Sequence, residues 1–254
     1  MKNWVVANWK MNGSMEFVNE YVPALLDGLL EYPQWNTRVK VVICPPPPYM
    51  WAVAKRLFGY PVITGAQNVS PEPNGARTGE VSCEMLHDLE VTVALAGHSE
   101  RRQFYGEDDA VVAKKVAAIQ AAGLTPIVCV GERQQEREAG RHADVVRGQM
   151  QAVLGAIDTG PDAHLIVAYE PVWAIGTGLT ATPAQAGEMH ALIRAELNKA
   201  MGAHGADVPI LYGGSVNPEN AAELMAEPEI NGALVGGASL KPESFLSIIK
   251  KSLG

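Results

Sequence analysis

Four side chains in this sequence combine types and positions that suit acid–base chemistry. Asn8, Lys10, His98 and Glu170 each come shortly after a run of apolar residues. Alternation along a strand would put Asn8 and Lys10 on one face. An ammonium group stabilises developing negative charge, and an imidazole and a carboxylate can exchange protons with a substrate. A solvated lysine beside a turn asparagine, and a histidine or glutamate held by fixed structural partners, are the alternatives that spacing leaves open.

The surroundings of Glu170 indicate a base behind a lid. Tyr169 precedes it and the sequence Pro-Val-Trp follows it. Burial against apolar groups disfavours a charged carboxylate and makes it a stronger base. The segment 171–178 begins with the conformationally restricted Pro-Val-Trp, continues with apolar residues and contains two glycines, Gly176 and Gly178. This composition suits a segment that closes over a ligand and excludes water.

Two glycine pairs late in the sequence suit a phosphate group. Gly213 and Gly214 precede Ser215, and Gly236 and Gly237 follow the last apolar run. Glycine backbones expose N–H groups, and a short helix start beside them can hold an anion. Two tight turns are the alternative. Together with the candidate acid–base groups, the set suits proton abstraction next to the carbonyl of a small phosphorylated substrate.

Short apolar runs alternate with helical patterns along the whole chain. A buried parallel strand is a continuous apolar run, and most of these runs have that character. Eight βα units account for all 254 residues, and no linker divides them. We predict an α/β fold, a single (β/α)8 barrel domain over 1–254 with eight parallel strands ringed by helices. An open doubly wound sheet, the alternative, usually has fewer strands for this length. The predicted strands are 4–7, 39–44, 62–66, 91–96, 126–130, 165–169, 210–212 and 233–235.

The clearest helix begins after Thr182. This residue is a candidate N-cap, Pro183 suits the first helical position, and Gln185 completes a capping box. A second helix is predicted over 108–122, with Gly123 placed to end it. In a (β/α)8 barrel the chemistry gathers where strands end and βα loops begin. The candidate acid–base residues and the glycine pairs all follow predicted strands.

The charge and the cysteines exclude several classes of function. Lys and Arg number 20 and Asp and Glu number 28, which gives a net charge of −8. That charge argues against sequence-independent binding of nucleic acid and against binding to an anionic membrane. Cys44, Cys83 and Cys129 form no CxxC pair, so we expect a reduced, cytoplasmic protein. The N-terminal apolar run is too short for a signal peptide, and no run reaches the roughly 20 residues of a membrane span.

Eight motifs resemble those of the triosephosphate isomerase family. They occur in the family's order and extend over nearly the whole chain. The resemblance implies the TIM-barrel fold and the interconversion of dihydroxyacetone phosphate and D-glyceraldehyde 3-phosphate through an enediol(ate), in glycolysis and gluconeogenesis, with no cofactor and no metal ion. The motifs are NWKMNG at 8–13, GAQN at 65–68, TGE at 78–80, GHSERR at 97–102, CVGE at 129–132, AYEPVWAIGTG at 168–178, YGGSVNPEN at 212–220 and GALVGGASLKP at 232–242.

The resemblance also implies a role for each candidate residue. Glu170 would take a proton from one carbon and return it to the next. His98, as a neutral imidazole, would polarise the carbonyl and carry protons between the oxygens. Lys10 would offset charge on the enediolate and the phosphate, with Asn8 fixing the geometry near the oxygens. Glu100 would support Lys10 or His98.

The phosphate site is implied in the same way. The backbone N–H groups of Gly176, Ser215, Gly236 and Gly237 would bind the phosphate. Closure of the lid would exclude water and hold the phosphate in plane, which limits its elimination. Cys129 would be a packing residue beside the site rather than a nucleophile.

The stretch at about 67–81 is long for a barrel loop, and such loops usually have a function. By resemblance it inserts into a second subunit of a homodimer, with Thr78 next to the partner subunit's Asn8 and the partner subunit's Lys10. Arg77 stands where the family often has an aromatic residue, which affects how the loop docks. Leu179 stands where a basic residue is common, which affects the tip of the lid.

Two alternative functions remain open. Another phosphate-binding barrel enzyme, such as a sugar-phosphate epimerase, would need a different set of acid–base groups. A non-catalytic phosphate-binding protein would be expected to lack Lys10, His98 or Glu170, and all three are present.

Overall fold

The apolar runs form eight parallel strands that close into a barrel. Each strand pairs with the next along the chain, and the eighth pairs with the first to complete the ring. The computed structural model describes residues 3–176 and 180–253. The strands are β1 (Asn3–Asn8), β2 (Val39–Cys44), β3 (Val62–Ala66), β4 (Val93–Ala96), β5 (Thr125–Val130), β6 (Ile166–Tyr169), β7 (Ile210–Tyr212) and β8 (Gly232–Val235).

The predicted strands are confirmed, with small differences at some ends. The predictions for β2, β3 and β7 agree at both ends. β4 begins at Val93 rather than at 91. The N–H of Val91 donates to the Leu86 carbonyl at 3.0 Å, so this part of the apolar run closes the end of a helix instead of joining the sheet.

Helices connect the strands and surround the barrel, in agreement with the predicted α/β architecture. Short 3₁₀ turns also occur, at Val172–Ala174, Gly202–Asp207 and Gly237–Leu240. The helices are α1 (Met15–Leu30), α2 (Trp35–Arg38), α3 (Pro47–Leu57), α4 (Cys83–Asp88), α5 (Ser99–Phe104), α6 (Asp109–Ala121), α7 (Gln134–Glu138), α8 (His142–Leu154), α9 (Pro183–Met201), α10 (Ala221–Met225) and α11 (Pro242–Lys251).

Side-chain caps define the starts of the two helices predicted in detail. At α9, Thr182 Oγ1 accepts a hydrogen bond from the Gln185 N–H at 3.2 Å, and Gln185 Oε1 accepts one from the Thr182 N–H at 3.0 Å. This is the predicted capping box. At α6, Asp108 is the N-cap, because its carboxylate accepts from the Val111 N–H at 2.8 Å.

Strand side chains alternate between two buried layers. Along β5, Ile127 and Cys129 belong to one cluster, whereas Val128 and Val130 belong to the other. The first cluster contains only strand residues and therefore fills the barrel, while the second also contains helix residues and lies between the barrel and the helices. Packing of both layers fixes the strand ends from which the candidate residues extend. The barrel interior contains Trp4, Val6, Val42, Cys44, Val93, Leu95, Ile127, Cys129, Ile166, Ala168, Leu211 and Leu234.

A buried histidine packs against the ends of two strands. The ring of His190, in α9, has its centroid 5.8 Å from that of Tyr169 and 6.4 Å from that of Tyr212. Its Nδ1 lies 3.0 Å from the Glu229 carbonyl oxygen. Burial lowers the pKa of His190 to about 4, although the Glu229 carbonyl acts in the opposite direction. The folded protein therefore keeps this imidazole neutral at pH values where a free histidine is charged.

The stability of the chain should consequently fall in acid. Between pH 6.5 and 4 the unfolded state binds a proton at His190 that the folded state does not, so the free energy of unfolding decreases as the pH falls, by roughly 3 kcal/mol from this group. Urea unfolding across this pH range measures the effect. The His190→Gln variant should lose this component, whereas His204→Gln, at an exposed site, should keep it. If the free energy of unfolding changes equally with pH in wild type and in His190→Gln, the assigned contribution of His190 is contradicted.

Candidate active site

A cavity of about 340 Å³ opens at the C-terminal ends of the strands. Two clefts elsewhere are larger, at about 480 and 620 Å³, but this one contains the candidate acid–base groups and both glycine pairs. All of the residues predicted to act in catalysis or to bind substrate line it, although they are far apart in the sequence. They are Asn8, Lys10, His98, Glu170, Gly176, Ser215, Gly236 and Gly237.

The buried carboxylate of Glu170 contacts a backbone N–H through one oxygen and the His98 ring through the other. The residue follows β6 and is 2% exposed. Oε2 accepts a hydrogen bond from the Ser99 N–H at 2.8 Å. Oε1 lies 2.9 Å from His98 Nε2. The Glu170 side chain also lines the cavity.

The hydrogen bonding of His98 assigns its proton in the neutral state. Nδ1 accepts from the Glu100 N–H at 3.3 Å. A ring nitrogen that accepts a hydrogen bond carries no proton, so the proton of the neutral ring is on Nε2. Nε2 is also the nitrogen next to Glu170. A neutral His98 can therefore donate into the cavity.

His98 and Glu170 shift each other's pKa in opposite directions. Burial raises the pKa of Glu170, but His98 and the Ser99 N–H lower it, and the net direction is down. Burial lowers the pKa of His98, but Glu170 and Glu100 raise it, and the net direction is up. The prediction that burial makes Glu170 a stronger base is therefore wrong for this arrangement, because His98, the Ser99 N–H and the Lys10 charge together outweigh desolvation, which is the largest single contribution. If Glu170 moved away from His98, the lowering effect of His98 would weaken and burial would raise the pKa of Glu170.

Lys10 enters the cavity from a left-handed backbone position. Its φ is 52°, a conformation that non-glycine residues seldom adopt. Its N–H donates to Asn8 Oδ1 at 3.0 Å, and its carbonyl accepts from Gln67 Nε2 at 2.9 Å. Its Nζ lies 2.6 Å from Glu100 Oε1. Because β1 ends at Asn8, this turn brings Asn8 and Lys10 together, and the predicted strand alternation does not.

The glycine pairs form one wall of the cavity. The pairs at 213–214 and 236–237 line it together with Ser215. A 3₁₀ turn begins within the second pair, directly after β8. A Cβ added to Gly236 would lie 3.1 Å from Lys10 Cε, so the lysine side chain runs beside this backbone. Exposed N–H groups next to an ammonium group suit an anionic ligand.

The segment predicted as a lid is anchored at its beginning. Trp173 lies in the 3₁₀ turn that follows Glu170, and its Nε1 donates to Glu132 Oε1 at 2.8 Å. Glu132 is fully buried and also accepts hydrogen bonds from the Tyr169 hydroxyl. Residues 177–179, which include two of the lid positions singled out in the sequence, lie outside the described residues.

The sequence prediction omits several contributors to the site. Ser99 acts through its backbone N–H, which every residue type except proline has. Gln67 lies in the GAQN motif and Glu132 in the CVGE motif, but only the folded chain shows which groups they hold. The cavity lining also includes Ile175, Val216, Asn217, Leu234 and Ala238.

Two predicted residues lie outside the cavity lining. Glu100 contacts the side chains of both Lys10 and His98 from the side. Thr78 is exposed in the long loop, where residues 72–80 are all exposed. Thr78 therefore takes no part in the site of its own chain.

The cysteines are buried and unpaired. Burial raises the pKa of the Cys129 thiol, and the nearby Glu170 carboxylate adds to this effect, so the thiol stays protonated and suits packing better than nucleophilic attack. Within residues 3–176 and 180–253, no three His, Cys, Asp or Glu side chains are grouped to hold a metal ion. None of the helices in the described part of the chain combines the length and apolar character that crossing a bilayer requires.

The closed eight-stranded barrel, with a carboxylate, an imidazole, an ammonium group and two glycine pairs lining a cavity at its mouth, is that of a (β/α)8-barrel enzyme, and its relatives place it in the isomerase class. The family model described as triosephosphate isomerase matches residues 3–252, and the chain belongs to this family. Relatives named triosephosphate isomerase include one from Roseiflexus sp. (strain RS-1), 48% identical over 246 residues, covering 96% of this chain and 95% of the relative. A second relative, from Xanthomonas oryzae pv. oryzae (strain PXO99A), is 46% identical over 251 residues, covering 97% of this chain and 96% of the relative. A third, from Dechloromonas aromatica (strain RCB), is 46% identical over 249 residues, covering 98% of this chain and 98% of the relative.

The position of Glu170 depends on a glycine in the neighbouring strand connection. A Cβ added to Gly131, directly after β5, would lie 1.7 Å from the Glu170 carbonyl oxygen. Gly131→Ala must therefore move the Glu170 backbone, and a displacement of about 1 Å lowers kcat roughly 100-fold. Steady-state kinetics on the folded variant test this. Gly148→Ala is the control, because its Cβ would meet nothing within 4 Å in α8 and should leave kcat unchanged. Full activity of Gly131→Ala would contradict the inferred dependence.

Proposed function

We propose that the cavity binds a triose phosphate and interconverts dihydroxyacetone phosphate and D-glyceraldehyde 3-phosphate, with Glu170 as the base. One observation carries this proposal. The buried Glu170 carboxylate and the His98 imidazole line the cavity together, with Oε1 and Nε2 2.9 Å apart. A carboxylate oxygen in this position is available to a substrate proton.

Substrate binding is expected to separate Glu170 from His98. Nε2 lies 2.9 Å from Oε1 and cannot at the same time donate to a substrate carbonyl along the same direction. A carbonyl oxygen that takes Nε2–H as its donor displaces the carboxylate towards the substrate carbons. The charge that lowers the pKa of Glu170 is then farther away, and burial raises the pKa. Glu170 becomes a stronger base when substrate is present.

The proton then moves between two neighbouring carbons. Glu170 takes a proton from the first carbon, the electron pair of that bond forms the carbon–carbon double bond of the enediol, the π pair of the carbonyl moves to its oxygen, and His98 Nε2–H protonates this oxygen. The neighbouring hydroxyl returns its proton to the ring nitrogen as its oxygen becomes the new carbonyl. Glu170 delivers its proton to the second carbon. Both residues end in their starting protonation states, so no cofactor is consumed.

Lys10 and Asn8 stabilise the charge that develops in this reaction. The Lys10 ammonium group lines the cavity and is held by Glu100 at 2.6 Å, so it is positioned before substrate binds. A preorganised cation in a site without water stabilises an oxyanion more than it does in solution. Asn8 holds the Lys10 backbone through its Oδ1, which leaves its amide N–H groups for the substrate oxygens.

The glycine wall is proposed to hold the phosphate. The N–H groups of Gly176, Ser215, Gly236 and Gly237 are the donors, and all four residues line the cavity. Ser215 Oγ donates to the Ala174 carbonyl at 2.7 Å, which connects this wall to the lid segment. Closure of the lid would exclude water and keep the phosphate in the plane that disfavours its elimination. This reaction belongs to glycolysis and gluconeogenesis, and the free cysteines suit the reducing cytoplasm.

Replacement of the base tests the proposal. Glu170→Gln keeps the shape of the side chain but removes proton abstraction, so we expect kcat to fall by about 10²- to 10⁴-fold. Binding of a phosphoglycolate inhibitor should be retained. A coupled assay with glyceraldehyde 3-phosphate measures turnover, and Glu188→Gln, exposed on α9, is the matched control. Unchanged turnover in Glu170→Gln would exclude Glu170 as the base.

A homodimer is proposed from the loop at 67–81. The Ser70 N–H donates to the Val81 carbonyl at 2.7 Å and closes the base of the loop. Residues 72–80 are exposed on the single chain, which we take to be one barrel domain. An exposed loop of this length with an internally bonded base suits insertion into a second copy. By analogy with the family, Thr78 would approach the partner subunit's Lys10.

A network of side chains connects the base of this loop to α5. Lys115 Nζ donates to Asn68 at 2.6 Å and is also bonded to Glu107, which pairs with Arg101 of α5. This network joins the loop base to α5, whose end carries the exposed Phe104. The exposed ring provides apolar surface that dimerisation would bury.

Sedimentation of a charged variant tests the dimer. Wild type should sediment at twice the 27.1 kDa chain mass. Phe104→Glu should dissociate at concentrations where wild type is dimeric, because dimerisation would bury the new charge. Phe58→Glu changes an equally exposed phenylalanine away from the loop, and it should remain dimeric. A fully active wild-type monomer would count against the proposed dimer.

A further inference from the structure

The hydroxyl of Tyr21 connects α1 to the phosphate wall. Tyr21 is 1% exposed, and its Oη donates a hydrogen bond of 2.7 Å to the carbonyl oxygen of Ser239. The two residues are 218 positions apart in the sequence. Burial raises the pKa of Tyr21, so its hydroxyl stays protonated and acts as a donor at any pH where the protein works.

Ser239 is part of the turn that carries the second glycine pair. It is fully buried in the 3₁₀ turn Gly237–Leu240. Its N–H and its Oγ both donate to the Gly236 carbonyl, at 2.8 and 2.7 Å. The orientation of the peptide groups at 236–237 therefore depends on the position of Ser239.

The ring of Tyr21 contacts the other side of the site. It packs edge-on against Trp9, with centroids 5.0 Å apart and planes at 76°. Trp9 stands between Asn8 and Lys10 in the sequence and is fully buried. Tyr21 therefore touches both the loop that carries Lys10 and, through its hydroxyl, the turn after β8.

We propose that Tyr21 is a positioning residue that holds the phosphate-binding turn in register with Lys10. This inference rests on the proposed function, in which the N–H groups at 236–237 and the Lys10 ammonium bind one phosphate. The Tyr21 ring fixes the Lys10 loop through Trp9, and the Tyr21 hydroxyl fixes the turn through Ser239. Both fixed points belong to one rigid aromatic side chain, so the two parts of the phosphate site keep a constant separation.

The proposal predicts an effect on binding rather than on chemistry. Tyr21→Phe keeps the ring and its contact with Trp9 and removes only the hydroxyl. The turn then loses one hydrogen bond that orients it, and phosphate binding weakens in the ground state and transition state alike. Such a change raises KM and leaves kcat almost unaltered. A loss on the scale of one hydrogen bond corresponds to roughly a three- to tenfold weaker phosphate complex.

Inorganic phosphate is the probe for the experiment. Its competitive inhibition constant against glyceraldehyde 3-phosphate is measured for wild type, Tyr21→Phe, Ser239→Ala and the double variant. We expect the constant to rise about three- to tenfold in Tyr21→Phe, with kcat within about twofold of wild type. Tyr60→Phe, a half-exposed tyrosine before β3 at the opposite end of the barrel, should match wild type.

The double variant tests whether the two hydroxyls act on the same turn. If they do, the effects of Tyr21→Phe and Ser239→Ala are not additive. An inhibition constant equal to wild type in Tyr21→Phe overturns the proposal, as does a loss confined to kcat or to the free energy of unfolding. Failure of phosphate to inhibit wild type competitively would instead reject the phosphate site of the proposed function, so the two failures can be distinguished.

Discussion

A buried carboxylate and a buried imidazole meet at 2.9 Å across the mouth of the barrel. This contact favours the charged form of both groups, because His98 lowers the pKa of Glu170 and Glu170 raises that of His98, each against the effect of burial. A carboxylate in this contact is held in its charged form inside the protein. Removing the contact leaves a desolvated carboxylate, which is a stronger base. In the proposed function, the resting arrangement and the reactive one differ by a movement of the Glu170 side chain away from His98.

The surrounding backbone makes this contact possible. Glu170 and His98 follow different strands, and β5 lies between those strands in the sheet. The N–H of Ser99 fixes Oε2, and the N–H of Glu170 donates to the Val130 carbonyl at 2.8 Å, so main-chain groups set the position of the carboxylate. Glycine at 131 lets the strand ends approach closely. The packed barrel interior below them prevents the strands from shifting independently. The chemistry of two side chains thus depends on the closure of the whole sheet.

Much of the fold and of the cavity lining can be predicted from sequence because the signals are local. Buried parallel strands are continuous apolar runs, which is why β2, β3 and β7 are predicted to the residue. Cavity-lining residues with ionisable side chains, such as Lys10 and Glu170, can be predicted from their residue type and their place after a strand. Ser99 is not found in this way, because its contribution is a backbone N–H. The direction of the Glu170 pKa is also predicted incorrectly, since it depends on a distance between residues 72 positions apart in the sequence, 98 and 170, which only the folded chain defines.

The position of Glu170 beside a bound ligand tests the central claim most directly. A crystal structure of the chain with a phosphoglycolate inhibitor gives the distance between His98 Nε2 and Glu170 Oε1. The account predicts that this distance becomes longer than 2.9 Å, that Nε2 donates to the ligand oxygen, and that Oε1 lies against the ligand carbons. A carboxylate that keeps its contact with His98 while the ligand phosphate occupies the glycine wall would contradict it.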